Sequence, residues 1–200
     1  MVGGMTAAAE LFDRREQPAR DLAGQAAAIA AACHQMALRF HRGGTLMVFG
    51  TGSASTDAQH VAVEFVHPVI VGKRALPAIS LTTDVATLTG VAATRGPSAI
   101  FSHQLRYLGS PADIALGIAP DGNCDSVMSG LRTGHELGML TIALTGGDVR
   151  DIAGCPLDHV LVTRSPDPRV VKELQVTAYH VLWELVHVFL EQPGVLEVTP

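Results

Sequence analysis

Three places in this 200-residue sequence carry residue types that do chemistry. The first is the turn Gly50-Thr51-Gly52-Ser53-Ala54-Ser55-Thr56-Asp57. A turn of this kind that opens a helix offers backbone N–H groups and hydroxyls to an anion. It is neither a Walker loop nor a complete GxGxxG, and many α/β turns are as rich in glycine. The second is the pair His60 and Glu64, which stand at i and i+4 and project from one helix face. They could be a base with its orienter, or two metal ligands. A surface ion pair is the bland alternative, and two residues are too few for zinc without partners from elsewhere. The third is the last helix, with Arg169, Lys172, Glu173, His180, Glu184 and His187. Glu173 and His180 lie two turns apart on one face, and His180 and Glu184 one turn apart. A solvated stripe of charge pairs is the alternative there.

These residues need elements to position them. Residues 7–42 are Ala-rich, with Leu22, Ile29, Met36 and Phe40 near helical spacing, and read as one or two helices stopped by Gly43-Gly44. Short apolar runs at 45–50, 76–81, 113–118, 139–144 and 159–163 read as strands, the first of them buried on both faces. Helical stretches lie between them at 58–66, 84–91, 101–108 and up to His135, and a long helix closes the chain at 168–190. The Ser, Thr and Asp of the first turn could cap the helix that follows it. Strands alternating with helices imply βαβ units and a parallel sheet covered on both faces. The expected fold is α/β: a three-layer αβα sandwich around a five-stranded, doubly wound parallel sheet, with long helices at both ends. The whole chain, 1–200, reads as one domain: a helical region at 1–42, a sheet core at 45–165 and a closing helix at 168–191. The terminal helices are apolar on more than one face, and we read them as an oligomer interface rather than as simple packing.

Composition narrows the function classes. Apolar residues make up 48% and charged residues 16%, which argues against disorder. A net charge of −5 argues against a basic nucleic-acid surface. The three cysteines, Cys33, Cys124 and Cys155, form no CxxC pair, so a disulfide framework or thiolate zinc finger is not expected and a reducing cytoplasm is. No apolar run reaches the roughly 18 residues that span a bilayer.

The order of motifs resembles the SIS (sugar isomerase) domain family, in its phosphoheptose isomerase branch. Gly50 to Glu64 looks like that branch's glycine turn and DAxHxAxE helix. Arg74 to Leu81, with Thr83-Asp84, resembles its second strand and turn. Phe101-Ser-His-Gln-Leu resembles FxRQV, and Gly138 to Gly147 resembles GMxxIALTG. Arg169, Lys172-Glu173 and His180 resemble RIQE…H, with Arg169 one residue early. The resemblance covers residues 20–190. It implies an aldose–ketose isomerase working through an enediol, assembled as a homotetramer with sites between subunits. Glu64 would be the base on carbon. His180, supplied by another subunit, would move the oxygen protons, and His60 would orient. Gly50, Thr51, Gly52, Ser53, Ser55, Asp57, Asp84, Asp121, Gly122, Asn123 and Lys172 would bind the sugar. Some members of the family bind zinc through residues matching His60, Glu64, Lys172 and His180.

The departures fall at the binding positions. The family's STSGNS phosphate loop is here Ala119-Pro120-Asp121-Gly122-Asn123-Cys124, and Ala54 replaces a phosphate-facing serine. Two hydroxyls are lost and a carboxylate is gained, which argues against ordinary phosphate binding. Asp121 is read as capping the helix behind it. A protonated Lys172 has no lone pair for zinc, so no cofactor is favoured, and its ammonium is expected to replace the metal's charge near Glu64. Three readings follow: a phosphoheptose-type isomerase, an isomerase of a non-phosphorylated sugar derivative, or a non-catalytic sugar-binding or protein-interaction module. All three imply a cytoplasmic protein that binds a sugar or sugar phosphate and copies of itself, with no nucleic acid and no membrane.

Overall fold

Parallel strands β1 (Leu46–Gly50), β3 (Ile114–Ala119) and β4 (Leu140–Gly146) are buried at every residue, as runs covered on both faces must be. A computed structural model describes residues 2–122, 124–147, 154–192, 194 and 196. With β2 (Ala78–Ser80) and β5 (His159–Thr163) these strands make one five-stranded sheet, all parallel, in the order β2-β1-β3-β4-β5. β2 is shorter than the expected 76–81. Its N-terminal neighbour Pro77 has no N–H to give the ladder.

Among the described residues, seven α-helices frame the sheet: α1 (Val2–Ala23), α2 (Ala26–His41), α3 (Ser53–Val66), α4 (Val85–Arg95), α5 (Ile100–Leu108), α6 (Asp125–Glu136) and α7 (Pro168–Glu191). The N-terminal helical region is thus two helices. Strand alternation divides the core in two. Leu46 and Val48 of β1 face a layer made by α2, α3 and α7. Met47 and Phe49 face the opposite layer, built by α5 and α6. The three-layer sandwich is therefore as expected.

This strand order puts the switch of direction between β1 and β3. The loops leaving those two strands flank a crevice at their carboxyl ends, where open α/β sheets bind ligands. Both loops turn at a glycine with positive φ, Gly52 at 58° and Gly122 at 73°.

Candidate active site

Two groups of residues meet on the side where α3 and α7 pack, and both helices run the same way there. Lys172 lies against Ser53 and Asp57, Tyr179 against His60, and Trp183 against Glu64. The last contact has a sequence cause. The Glu64 carbonyl would bond the N–H four residues on, but that residue is Pro68. Trp183 Nε1 donates to it instead, at 2.8 Å.

The first group is a cluster of acid/base side chains. His60 Nε2 lies 3.1 Å from Glu64 Oε1, and Tyr179 Oη lies 2.9 Å from His60 Nδ1. The His180 ring stands edge-on to those of His60 and Tyr179, with centroids 5.2 and 4.9 Å away. Glu64 is largely shielded while His180 is exposed. Burial, and then the carboxylates of Asp57 and Glu64, push the Tyr179 phenol upward, so its O–H persists at neutral pH.

His180 belongs to the same chain as Glu64. The expectation that another subunit supplies it is therefore corrected: α7 folds back over α3 and completes the trio within one chain. One donor atom from each of His60, Glu64 and His180 lies within 4.8 Å of the other two. Three such donors fit three corners of a zinc tetrahedron and leave the fourth open.

Lys172 is not at that cluster. Its ammonium donates to Asp57 Oδ2 at 2.7 Å and to the Ser53 carbonyl at 3.1 Å. The expected placement of this charge near Glu64 is corrected. Asp57 is 5% exposed, and a carboxylate that deeply buried holds the nearest cation.

The second group is a cavity of about 280 Å³ lined by Thr51, Gly52, Ser53, Ala119, Pro120, Asp121, Cys124, Pro168 and Lys172. It lies at the β1/β3 crevice. The first turns of three helices meet there. Gly52 stands just before α3 and Cys124 just before α6, and neither start has a side-chain cap. Asp121 thus does not cap α6, contrary to expectation; its carboxylate is exposed on the cavity wall instead. The small hydroxyls after the first strand do not cap α3 either. Ser55 and Thr56 donate back to the carbonyls of Gly52 and Ser53. α7 is capped by Asp167, held down to about 2 by the Arg169 side chain and backbone N–H.

The remaining expected binding residues divide. Gly50 is buried beneath the turn, where a Cβ would strike Ala54 and the Ile118 carbonyl. Gly50, Ser55, Asp57 and Gly122 do not line the cavity, and Asp57 reaches it only through Lys172. Asn123 lies outside the described residues. Asp84 does not reach this site. It caps α4 through the Thr87 N–H and hydroxyl, which hold its carboxyl below the usual range, in a separate cavity with His103 and Tyr107. Glu173 is paired in a two-pronged bond to Arg15 of α1. His187 is buried against the Trp183 and Arg74 carbonyls, a structural role.

Sequence reasoning missed Tyr179, Trp183 and Pro168. The available signal was that Tyr179, one of two tyrosines, lies seven residues after Lys172 and so on its face.

A sequence profile of the SIS domain matches residues 15–146. This chain belongs to the SIS domain family. Within it, the SIS chain falls in the phosphoheptose isomerase branch. It is 40% identical over 151 residues to the phosphoheptose isomerase of Desulfovibrio desulfuricans, across 74% of this chain and 70% of that one. The solved phosphoheptose isomerase of Francisella tularensis superposes with a TM-score of 0.84 at 30% identity, covering 92% and 98%. That of Neisseria gonorrhoeae gives 0.82 at 27%, covering 93% and 98%.

Proposed function

We propose that this SIS chain is an aldose–ketose isomerase acting on a sugar phosphate of the heptose class. The observation that carries this reading is the convergence of Glu64, His60 and His180 on one face, two helical turns from a cavity ringed by helix starts.

The chemistry needs a base on carbon and a proton carrier on oxygen. Glu64 removes the proton from the carbon beside the carbonyl, and His180 delivers one to the carbonyl oxygen. The result is an enediol. His180 then takes the proton from the neighbouring hydroxyl while Glu64 returns its own to the former carbonyl carbon. Nothing is oxidised or reduced overall. A carboxylate and an imidazole are suited to these steps near neutral pH.

The anion end of the substrate suits the cavity. Uncapped helix starts offer backbone N–H groups and a positive end of the dipole, and neither needs the hydroxyls lost at Ala119 and Pro120. Lys172 adds a cation there. Were zinc bound, His60, Glu64 and His180 would hold it, and it would polarise the substrate carbonyl. Lys172, turned to Asp57, offers no fourth ligand there and leaves that position to water or substrate.

One observation favours a second reading, an isomerase of a non-phosphorylated sugar: the Asp121 carboxylate on the cavity wall. Deuterium incorporation at carbon in D₂O separates the two. Exchange with sedoheptulose 7-phosphate but not with sedoheptulose supports the first. Exchange with only the unphosphorylated sugar supports the second. Exchange with neither rejects both and leaves a binding role.

We also infer that copies of this chain associate in the cytoplasm. Leu11 and Phe12 of α1 are 43% and 74% exposed, and an apolar cavity of about 300 Å³ lies between α1, α2 and α7. Light scattering on the eluted protein gives the subunit count, and a monomer at micromolar concentration overturns the inference.

A further inference from the structure

We propose that Asp121 makes the β1/β3 cavity select a phosphate that still carries a proton: its carboxylate accepts a hydrogen bond from the P–OH of a monoanionic phosphate ester and rejects sulfate esters. The inference rests on the reading of this cavity as the anion site of the substrate.

The turn that carries Asp121 is fixed by its own sequence. Pro120 sets one φ, Gly122 takes a φ of 73°, and the Gly122 N–H donates to the Ala119 carbonyl at 3.0 Å. The end of β4 backs the turn, since a Cβ on Gly146 would strike the Pro120 carbonyl. Asp121 is thereby held on the cavity wall, exposed, and its carboxylate has no hydrogen-bond or ion-pair partner among the described residues. The acids beside the neighbouring helix starts are paired instead: Asp57 holds Lys172, and Asp167 holds Arg169.

A ligand in this cavity therefore meets a mixed set of groups. The donors are the Lys172 ammonium, the Thr51 hydroxyl and the backbone N–H groups at the starts of α3 and α6. The Cys124 thiol, 3.1 Å from Thr51 Oγ1, is a weak donor. Lys172 and Cys124 are the other titratable groups on the wall. Asp121 is an acceptor without a donor. A fully ionised phosphate offers only acceptor oxygens, so it meets repulsion there and no hydrogen bond to offset it. A monoanionic phosphate ester keeps one O–H. With that proton between them, phosphate and carboxylate form a charge-assisted hydrogen bond, and the other oxygens face the donors. The second pKa of a phosphate ester is about 6, so the proton is within reach near neutral pH. A sulfate ester matches the monoanion in charge and has no proton to give.

The test reads binding without turnover. The heptitol 7-phosphate made by reducing sedoheptulose 7-phosphate has no carbonyl to isomerise. By calorimetry on wild-type protein, its Kd should rise about 5- to 10-fold from pH 6.5 to 7.5, as the free ligand loses its proton. This window lies below the ordinary thiol range. The matching heptitol 7-sulfate should bind at least about tenfold more weakly at pH 6.5, the worth of a hydrogen bond to a charged group. Asp121→Asn presents an amide that donates to either anion. It should bind both esters alike and lose the pH slope. A wild type that binds both esters alike overturns the proposal, and so does a Kd that stays flat across the window. An Asp121→Asn variant that keeps the preference for phosphate overturns it too. The wild-type comparison needs no variant. If sedoheptulose 7-phosphate is turned over while the Kd stays flat, the isomerase reading stands and this role of Asp121 falls. If the 7-phosphate does not bind at all, both fall.

Discussion

Lys172 reaches from α7 across to α3 and places its ammonium 2.7 Å from the buried carboxylate of Asp57. The pair joins the acid/base face to the cavity. Asp57 holds the lysine from behind, and the lysine forms part of the cavity wall. Removing the cation leaves Asp57 charged and unpaired. Lys172→Met should lower stability by about 1–2 kcal/mol, less than the full cost of orphaning a buried charge because the lysine side chain is 37% exposed. It should also raise KM for a sugar phosphate at least about tenfold. Adding Asp57→Asn should restore stability and leave KM high. Urea melts and initial rates on both variants check this, and a KM unchanged by Lys172→Met removes the lysine from the anion site.

Glu64→Gln keeps an oxygen for His60 and the carbonyl for Trp183, so the fold should persist. Proton abstraction should not. Exchange at carbon is expected to drop by about 10²- to 10⁴-fold with an unchanged melting temperature. NMR in D₂O checks it, and an active variant would refute the assignment of the base.

Gly146 ends β4 against the cavity loop. A Cβ there would meet the Pro120 carbonyl and the Val171 side chain, both well inside van der Waals contact. Gly146→Ala should cost about 1–3 kcal/mol and displace the Ala119–Asp121 turn. Thermal melting gives the first effect, and weaker protection of that turn in hydrogen exchange gives the second. Wild-type values for both would place this backbone approach outside what the fold needs.

Burial pushes the Cys33 thiol up to about 12. The thiolate is the reactive form, so raising the pKa removes it at ordinary pH. Iodoacetamide at pH 8 should leave Cys33 unmodified until the protein is unfolded. Peptide mass spectrometry reads this site by site, and labelling of Cys33 in the folded protein would show that this core opens.

Element order, sheet type and family were legible along the chain. Buried runs such as Leu46–Gly50 and Ile114–Ala119 carry their own signature, and His60 and Glu64 are neighbours on any helix. Local spacing could not say which helices touch. That α7 lies along α3 follows from packing both on one sheet face. This packing places His180 beside Glu64 in one chain, turns Lys172 to Asp57, and gives Tyr179 to His60. Motif matching likewise counted lost hydroxyls at Ala119 and Pro120 but could not see that two uncapped helix starts border the same cavity. Backbone N–H groups are identical in every residue except proline, so a site built from them leaves almost no trace in residue types.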